Sequence, residues 1–176
     1  DNDGVNDTLD AFPLDDSETV DTDGDGIGNN ADTDDDNDGV EDAIDAFPLD
    51  ASESSDTDGD GVGNNTDEDD DNDNIPDTLD AFPLDASESV DSDGDGIGNN
   101  ADTDDDNDGV EDSADAFPFD ASESLDNDGD GLGNNADTDD DNDGVGDAFD
   151  AFPLDETETV DTDFDGIGNN ADTDDD

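Results

Sequence analysis

Aspartates recur at alternate positions along the chain, as in Asp34, Asp36 and Asp38, and this triplet is followed by Gly39, Asp42 and Asp45. Numbered from the first aspartate, these residues fall at positions 1, 3, 5, 6, 9 and 12 of a loop, the pattern D-x-D-x-D-G-x-x-D-x-x-D. Alternate side chains of a tightly curled loop converge on one point. Glycine at the sixth place permits the sharp turn, the carbonyl of the seventh residue, Val40, points inward, and the twelfth residue closes the sphere. The chain has no Cys and no His, which excludes thiolate and imidazole sites and the softer transition metals that use them. What remains is an all-oxygen cage for a hard divalent cation. Calcium fits it better than magnesium, which takes fewer protein ligands and retains water.

The same loop recurs with ligand sets Asp69, Asp71, Asp73, Ile75, Asp77 and Asp80; Asp104, Asp106, Asp108, Val110, Asp112 and Asp115; and Asp139, Asp141, Asp143, Val145, Asp147 and Asp150. A truncated copy offers Asp1, Asp3, Val5, Asp7 and Asp10. In the copy that opens at Asp69, Asn74 stands at the glycine position, and Asn tolerates a left-handed backbone better than most residues. That site is expected to be intact but weaker.

A second loop type carries Asn at position 9 and comprises Asp21, Asp23, Asp25, Ile27, Asn29 and Asp32. Its copies are Asp56, Asp58, Asp60, Val62, Asn64 and Asp67; Asp91, Asp93, Asp95, Ile97, Asn99 and Asp102; Asp126, Asp128, Asp130, Leu132, Asn134 and Asp137; and Asp161, Asp163, Asp165, Ile167, Asn169 and Asp172. Position 4 is Gly in four of them and Phe164 in the last. Because this position is not a ligand, Phe164 should not abolish its site.

These loops need a scaffold, and the sequence offers only repetition. The segment opening Asp1-Asn2-Asp3-Gly4 returns at Asp36, Asp71, Asp106 and Asp141, a period of 35 without insertion or deletion. Between one pair of loops and the next lies a connector of pattern A-F-P-L-D-x-S/T-E, for example Ala46 to Ser55. Its proline discourages a helix. Residues 1–176 are thus expected to form one continuous array of five units, with little regular helix or strand, stabilised by calcium as a rod. The array ends in the phase in which it begins, as a window of a longer array would.

With 66 acidic residues, no Lys or Arg and 25% hydrophobic residues, the chain on composition alone belongs with disordered polyanions. Bound metal can order such a chain, because the free energy of ligation becomes free energy of folding. One Ca²⁺ in each of nine complete loops supplies 18 positive charges against the 66 negative ones and leaves 48 uncompensated. Further ions are therefore expected beyond two per unit, with Asp15 and Glu18 as candidates for a third site. No segment is apolar enough to span a membrane. Nucleic acid is disfavoured as a partner by charge of the same sign.

The paired D-x-D-x-D-G loops, the apolar residue at position 7 (Val40, Ile27), Asp at position 12 and the connector together resemble thrombospondin type 3 repeats, in the cysteine-free form of bacterial calcium-binding acidic repeat proteins. The resemblance covers the whole chain. It implies irregular backbone wrapped around a line of calcium ions in a secreted or cell-surface protein. Where the family often has cysteines, this sequence has Phe12 and Ala31, so Phe-to-Ala packing is one candidate replacement for a disulfide. A Phe that merely covers its own connector is the other. An EF-hand fits less well, since Glu at position 12 and amphipathic flanking helices are both missing.

Two function classes follow. The first is an extracellular structural element, a rod, filament or adhesin stalk rigidified by Ca²⁺, associating with itself or attached to a larger surface protein. The alternative is a soluble calcium buffer or mineral-interacting acidic protein. An enzyme is not expected, because the carboxylates are already claimed as ligands. Asp-rich loops closed by Asp rather than Glu suit the millimolar calcium found outside cells.

Overall fold

The computed structural model describes residues 3–174. Among these no helix or strand forms, and the backbone runs through turns and bends alone. The reason is local: Gly and Asn at short intervals repeatedly send the backbone into the left-handed region, which interrupts any regular run. Gly39 has φ 99° and Asn37, two residues earlier, φ 60°.

Each repeat closes three turns on itself. The second-type loop is closed by the Asn29 N–H bonding the Val20 carbonyl at 3.0 Å, and the first-type loop by the Asp42 N–H bonding the Thr33 carbonyl at 2.9 Å. In the connector, the Ala46 N–H reaches the Ser54 carbonyl at 3.2 Å, with Asp50 N–H to Phe47 carbonyl and Glu53 N–H to Asp50 carbonyl inside it. The chain divides into two compact units, Asp1–Ser89 and Val90–Asp176. The first unit contains this sequence of turns at residues 11–80, and the second repeats it, with the Asn134 N–H on the Leu125 carbonyl, Asp147 on Thr138 and Ala151 on Thr159.

Neither unit has an apolar interior among its described residues. No hydrophobic side chain is buried, and Leu14 is 97% exposed. The buried side chains are acidic: Asp10, Glu18, Asp36, Glu53, Asp70, Asp71 and Glu88 in the first unit, and Asp105, Asp106, Glu123, Asp141 and Glu158 in the second. The connector rings Phe12, Phe47, Phe82, Phe117 and Phe152 are half-buried, while Ala31 is exposed. A tandem-repeat fold of irregular backbone, as expected, is thus built around carboxylates.

Candidate metal centres

Each loop organises itself by accepting nearby backbone N–H groups on its carboxylate oxygens. In the second-type loop, Asp21 accepts the Gly24 N–H on Oδ1 at 2.8 Å and the Gly26 N–H on Oδ2 at 3.2 Å. Asp23 Oδ1 accepts from Asp25 N–H at 2.9 Å, and Asp25 Oδ1 from Ile27 N–H at 2.8 Å. These short bonds are possible because Gly24 and Gly26 both adopt positive φ. Their effect is to bring one oxygen from each of Asp21, Asp23 and Asp25 within 4.8 Å of the others. Positions 1, 3 and 5 converge in the same way at Asp56, Asp58 and Asp60 and at Asp91, Asp93 and Asp95.

First-type loops go further, because they bury what they gather. Asp34, Asp36 and Asp38 meet within the same limit, as do Asp69, Asp71 and Asp73. Asp36 is buried. That burial, together with the charges of Asp38, Asp45 and Asp34, pushes its carboxyl above the usual aspartate range despite the Asp38 N–H it accepts. Position 12 is therefore electrostatically part of the same group. Asp71 is raised by the same causes with Asp73, Asp80 and Asp69, Asp106 with Asp108, Asp115 and Asp104, and Asp141 with Asp143, Asp150 and Asp139.

The fit to a cation is read from the oxygens with no partner. Asp34 Oδ1, Asp36 Oδ2 and Asp45 Oδ2 are buried and accept no hydrogen bond, and the equivalent atoms of Asp69, Asp71 and Asp80, Asp104, Asp106 and Asp115, and Asp139, Asp141 and Asp150 behave identically. Leaving a charged oxygen buried without a partner costs several kcal/mol, roughly. The chain has no Lys, Arg or His that could relieve it. Oxygens of hard carboxylates converging from positions 1, 3 and 12 suit a divalent ion of the calcium class.

Position 9 behaves differently from the ligand pattern. Asn29 Oδ1 accepts the Thr22 N–H at 3.1 Å and its Nδ2 donates to Thr22 Oγ1 at 2.8 Å, so the amide clasps the loop mouth at both ends. Asn64, Asn99 and Asn169 clasp Thr57, Ser92 and Thr162 in the same manner. In the first-type loop Asp42 Oδ1 accepts the Asp35 N–H at 2.8 Å. Position-7 residues are held by their own N–H, Val40 on Asp38 Oδ1 at 2.7 Å.

Successive loops are also tied together. Asn37 Nδ2 donates to Asp23 Oδ2 at 2.8 Å, and Asn72 to Asp58, Asn107 to Asp93 and Asn142 to Asp128 repeat the link. Asp32 turns forward, accepting the N–H groups of Thr33 and Asp34 on Oδ1. It thereby adds its charge to Asp35, whose carboxyl is raised chiefly by burial and then by Asp42 and Asp32. The truncated loop keeps Asp10 buried, with Oδ1 on the Phe12 N–H at 2.8 Å and Oδ2 unpartnered. Asp3 Oδ1 accepts from Val5 N–H, and Asp1 lies outside the described residues.

The pairing of Asp15 with Glu18 as a third site is corrected by the structure. Asp15 is exposed and folds onto Ser17, accepting its hydroxyl at 2.6 Å and its N–H at 3.1 Å, which lowers its carboxyl. Glu18 is buried and accepts the Asn30 N–H at 3.1 Å. Local turn chemistry wins over proximity in sequence, because an Asp-x-Ser turn satisfies the aspartate without a metal.

The thrombospondin type 3 repeat model matches the chain three times, over residues 20–54, 55–88 and 90–124. No individual curated protein is a detectable relative of the chain. Each match opens with a second-type loop, runs through a first-type loop and ends in the connector, so the matched unit is the one whose carboxylates converge above. Together the matches cover more than half of the sequence, and the chain belongs to the thrombospondin type 3 repeat family of calcium-binding repeats.

Proposed function

We propose that the chain is an extracellular structural array of five 35-residue units, opening at Asp1, Asp36, Asp71, Asp106 and Asp141, whose interior is bound calcium. In each loop the carboxylates at positions 1, 3, 5 and 12 and the carbonyl at position 7 hold the ion, with at least two ions per unit. The ion supplies the positive charge that the protein lacks. The residues do the rest: they space the carboxylates, close the loop mouth with the position-9 clasp, and link neighbouring loops through the Asn37–Asp23 bond.

One observation carries this reading. The described residues bury carboxylates with unpartnered oxygens where an ordinary domain buries apolar side chains. A strict repeat in which no unit has special chemistry suits a rod, filament or adhesin stalk, secreted or attached at the cell surface, and leaves no constellation for catalysis. Electron microscopy of native material in calcium and again after chelation tests the proposal. Extended particles that collapse or vanish on chelation are expected. An outline and protease resistance unchanged by chelation would sink it, and a chain still expanded in small-angle scattering with calcium present would favour a soluble buffer or mineral-interacting protein.

A further inference from the structure

Two departures from the repeat meet in one cleft. Position 2 of the second-type loops is Thr22, Thr57, Ser92 and Thr162, but Asn127 in the fourth copy. The connector residue after Asp155 is Glu156, where the earlier connectors have Asp16, Ala51, Ala86 and Ala121. Asn127 and Glu156 both line a cleft of about 480 Å³ within the second unit, together with Asp128, Asn142, Leu154 and Asp155. Asn134 accepts the Asn127 N–H at 3.0 Å, as its counterparts do at the other loop mouths. The Asn127 side chain, however, donates from Nδ2 to the Leu154 carbonyl at 3.1 Å, across 27 residues of chain. That bond orients the amide and leaves its Oδ1 as an unengaged acceptor. Asp155 Oδ1 accepts the Thr157 N–H at 3.1 Å and its hydroxyl at 2.7 Å, which lowers the carboxyl and keeps it charged. Glu156 is exposed and accepts no hydrogen bond from a described residue. Asp141, only 5% exposed and with a buried Oδ2 that has no partner, adds to the lining.

We infer that this cleft docks an arginine side chain of another protein, with the aliphatic stem along Leu154 and the guanidinium among Asn127 Oδ1, Asp155 and Glu156. A planar head with several donors satisfies an amide oxygen and two carboxylates at once, and it sheds water more readily than the point charge of a lysine. Long basic side chains also lay their stems on apolar surface while keeping the head wet. This sequence contains no Lys, Arg or His, so the cation comes from a different molecule and a second copy of the chain cannot supply it. Asn127 and Glu156 stand at none of the loop ligand positions, so docking does not require a loop to give up a carboxylate. The metal loops stay uniform along the array, and the cleft marks one place on it where a partner attaches.

Titration of N-acetyl-arginine amide into the isotope-labelled 176-residue chain, at saturating calcium and physiological salt, tests the inference by NMR. Salt screens loose attraction between exposed charges. Saturable shifts confined to Asn127, Leu154 and Glu156 are therefore expected, with the Asn127 side-chain amide among them. Equal shifts in every connector show attraction to a polyanion only and overturn the cleft. N-acetyl-lysine amide should bind more weakly, and equal binding overturns the guanidinium assignment. The double variant Asn127→Thr, Glu156→Ala restores residues that other units carry at these places. It should weaken arginine binding by about tenfold or more, and unchanged affinity overturns the proposal. Native mass spectrometry of the same variant should give the calcium count of the parent. A lower count means that the cleft holds a metal ion, which overturns arginine docking and leaves the calcium reading standing.

Discussion

The Glu53 carboxylate occupies the space into which a side chain on Gly63 would project: a Cβ there would stand 2.1 Å from Oε2. Gly63 does not have a positive φ, so it is glycine for room. The same contact joins Glu18 to Gly28, Glu123 to Gly133 and Glu158 to Gly168. A buried acid and a missing side chain thus form one structural unit, repeated along the chain.

Gly63→Ala should therefore expel Glu53 and break its bond to the Asn65 N–H. Overpacking of this kind costs about 1–3 kcal/mol, read as lower resistance of the calcium-loaded protein to denaturant. In a Glu53→Ala background the alanine has nothing to collide with, and Gly63→Ala should then be close to neutral. Additive losses in that double-mutant cycle would show that the glycine matters for another reason.

Asp71→Asn removes one charged, buried carboxylate from a first-type loop whose neighbours Asp69 and Asp80 keep unpartnered oxygens. Calcium affinity at that loop should fall by on the order of 100-fold, since breaking a buried charge arrangement costs about 3 kcal/mol or more. Titration calorimetry measures it. Asp15→Asn alters an exposed acid engaged with Ser17 and should leave both the ion count and the affinity unchanged.

Stability of the metal-free protein should respond to pH in the direction opposite to ordinary acid denaturation. The carboxyls of Asp36, Asp71, Asp106 and Asp141 are raised above 3.8 by burial and by neighbouring charge. The folded state thus binds protons more readily than the unfolded one, and stability falls as pH rises from 3.8 through the raised folded values. The exposed Asp50, lowered through Ser52, acts in the opposite sense, adding stability above 3.8 that is lost as pH falls through its depressed value. The buried set should dominate. Small-angle scattering of calcium-free protein should show contraction on acidification from about pH 7, and no contraction would contradict the carboxylate-lined interior.

Phe164 stands where the other second-type loops have Gly24, Gly59, Gly94 and Gly129, and it adopts φ 64° against their 77–78°. A left-handed backbone costs a non-glycine residue about 1–2 kcal/mol, partly offset by the greater freedom of glycine in the unfolded chain. Phe164→Gly should raise the stability of the last loop by about 1 kcal/mol, visible as later release of calcium in a chelator titration. Asn74→Gly should give a smaller gain of the same sign, because Asn already tolerates its φ of 79°.

The loops were legible in the sequence because their geometry is local. Aspartate at alternate positions and glycine at the sixth dictate convergence, and the left-handed Asn74 follows from its place in that pattern. The position-9 clasp was not legible: spacing indicates that Asn29 lies near the mouth, but not that the N–H and hydroxyl of Thr22 reach it. The packing of Glu53 against Gly63 was harder still, since it depends on contact between a connector and a loop that the ligand pattern does not join. Its signal lay in a glycine that recurs at position 8 of the second-type loops, Gly28 and Gly63 among them, without any turn to demand it.

The exposed leucines and isoleucines have a thermodynamic corollary. Unfolding of an ordinary domain raises the heat capacity by wetting its apolar interior, and this bends the stability curve into a dome with a cold side. Here Leu14, Leu9 and Ile44 are already wetted at 97%, 82% and 78% exposure, so melting brings little new oily surface into water. The enthalpy of unfolding should barely change with temperature, and the cold arm of the dome should be missing. At a given temperature, durability is then set by the free calcium concentration of the surrounding fluid.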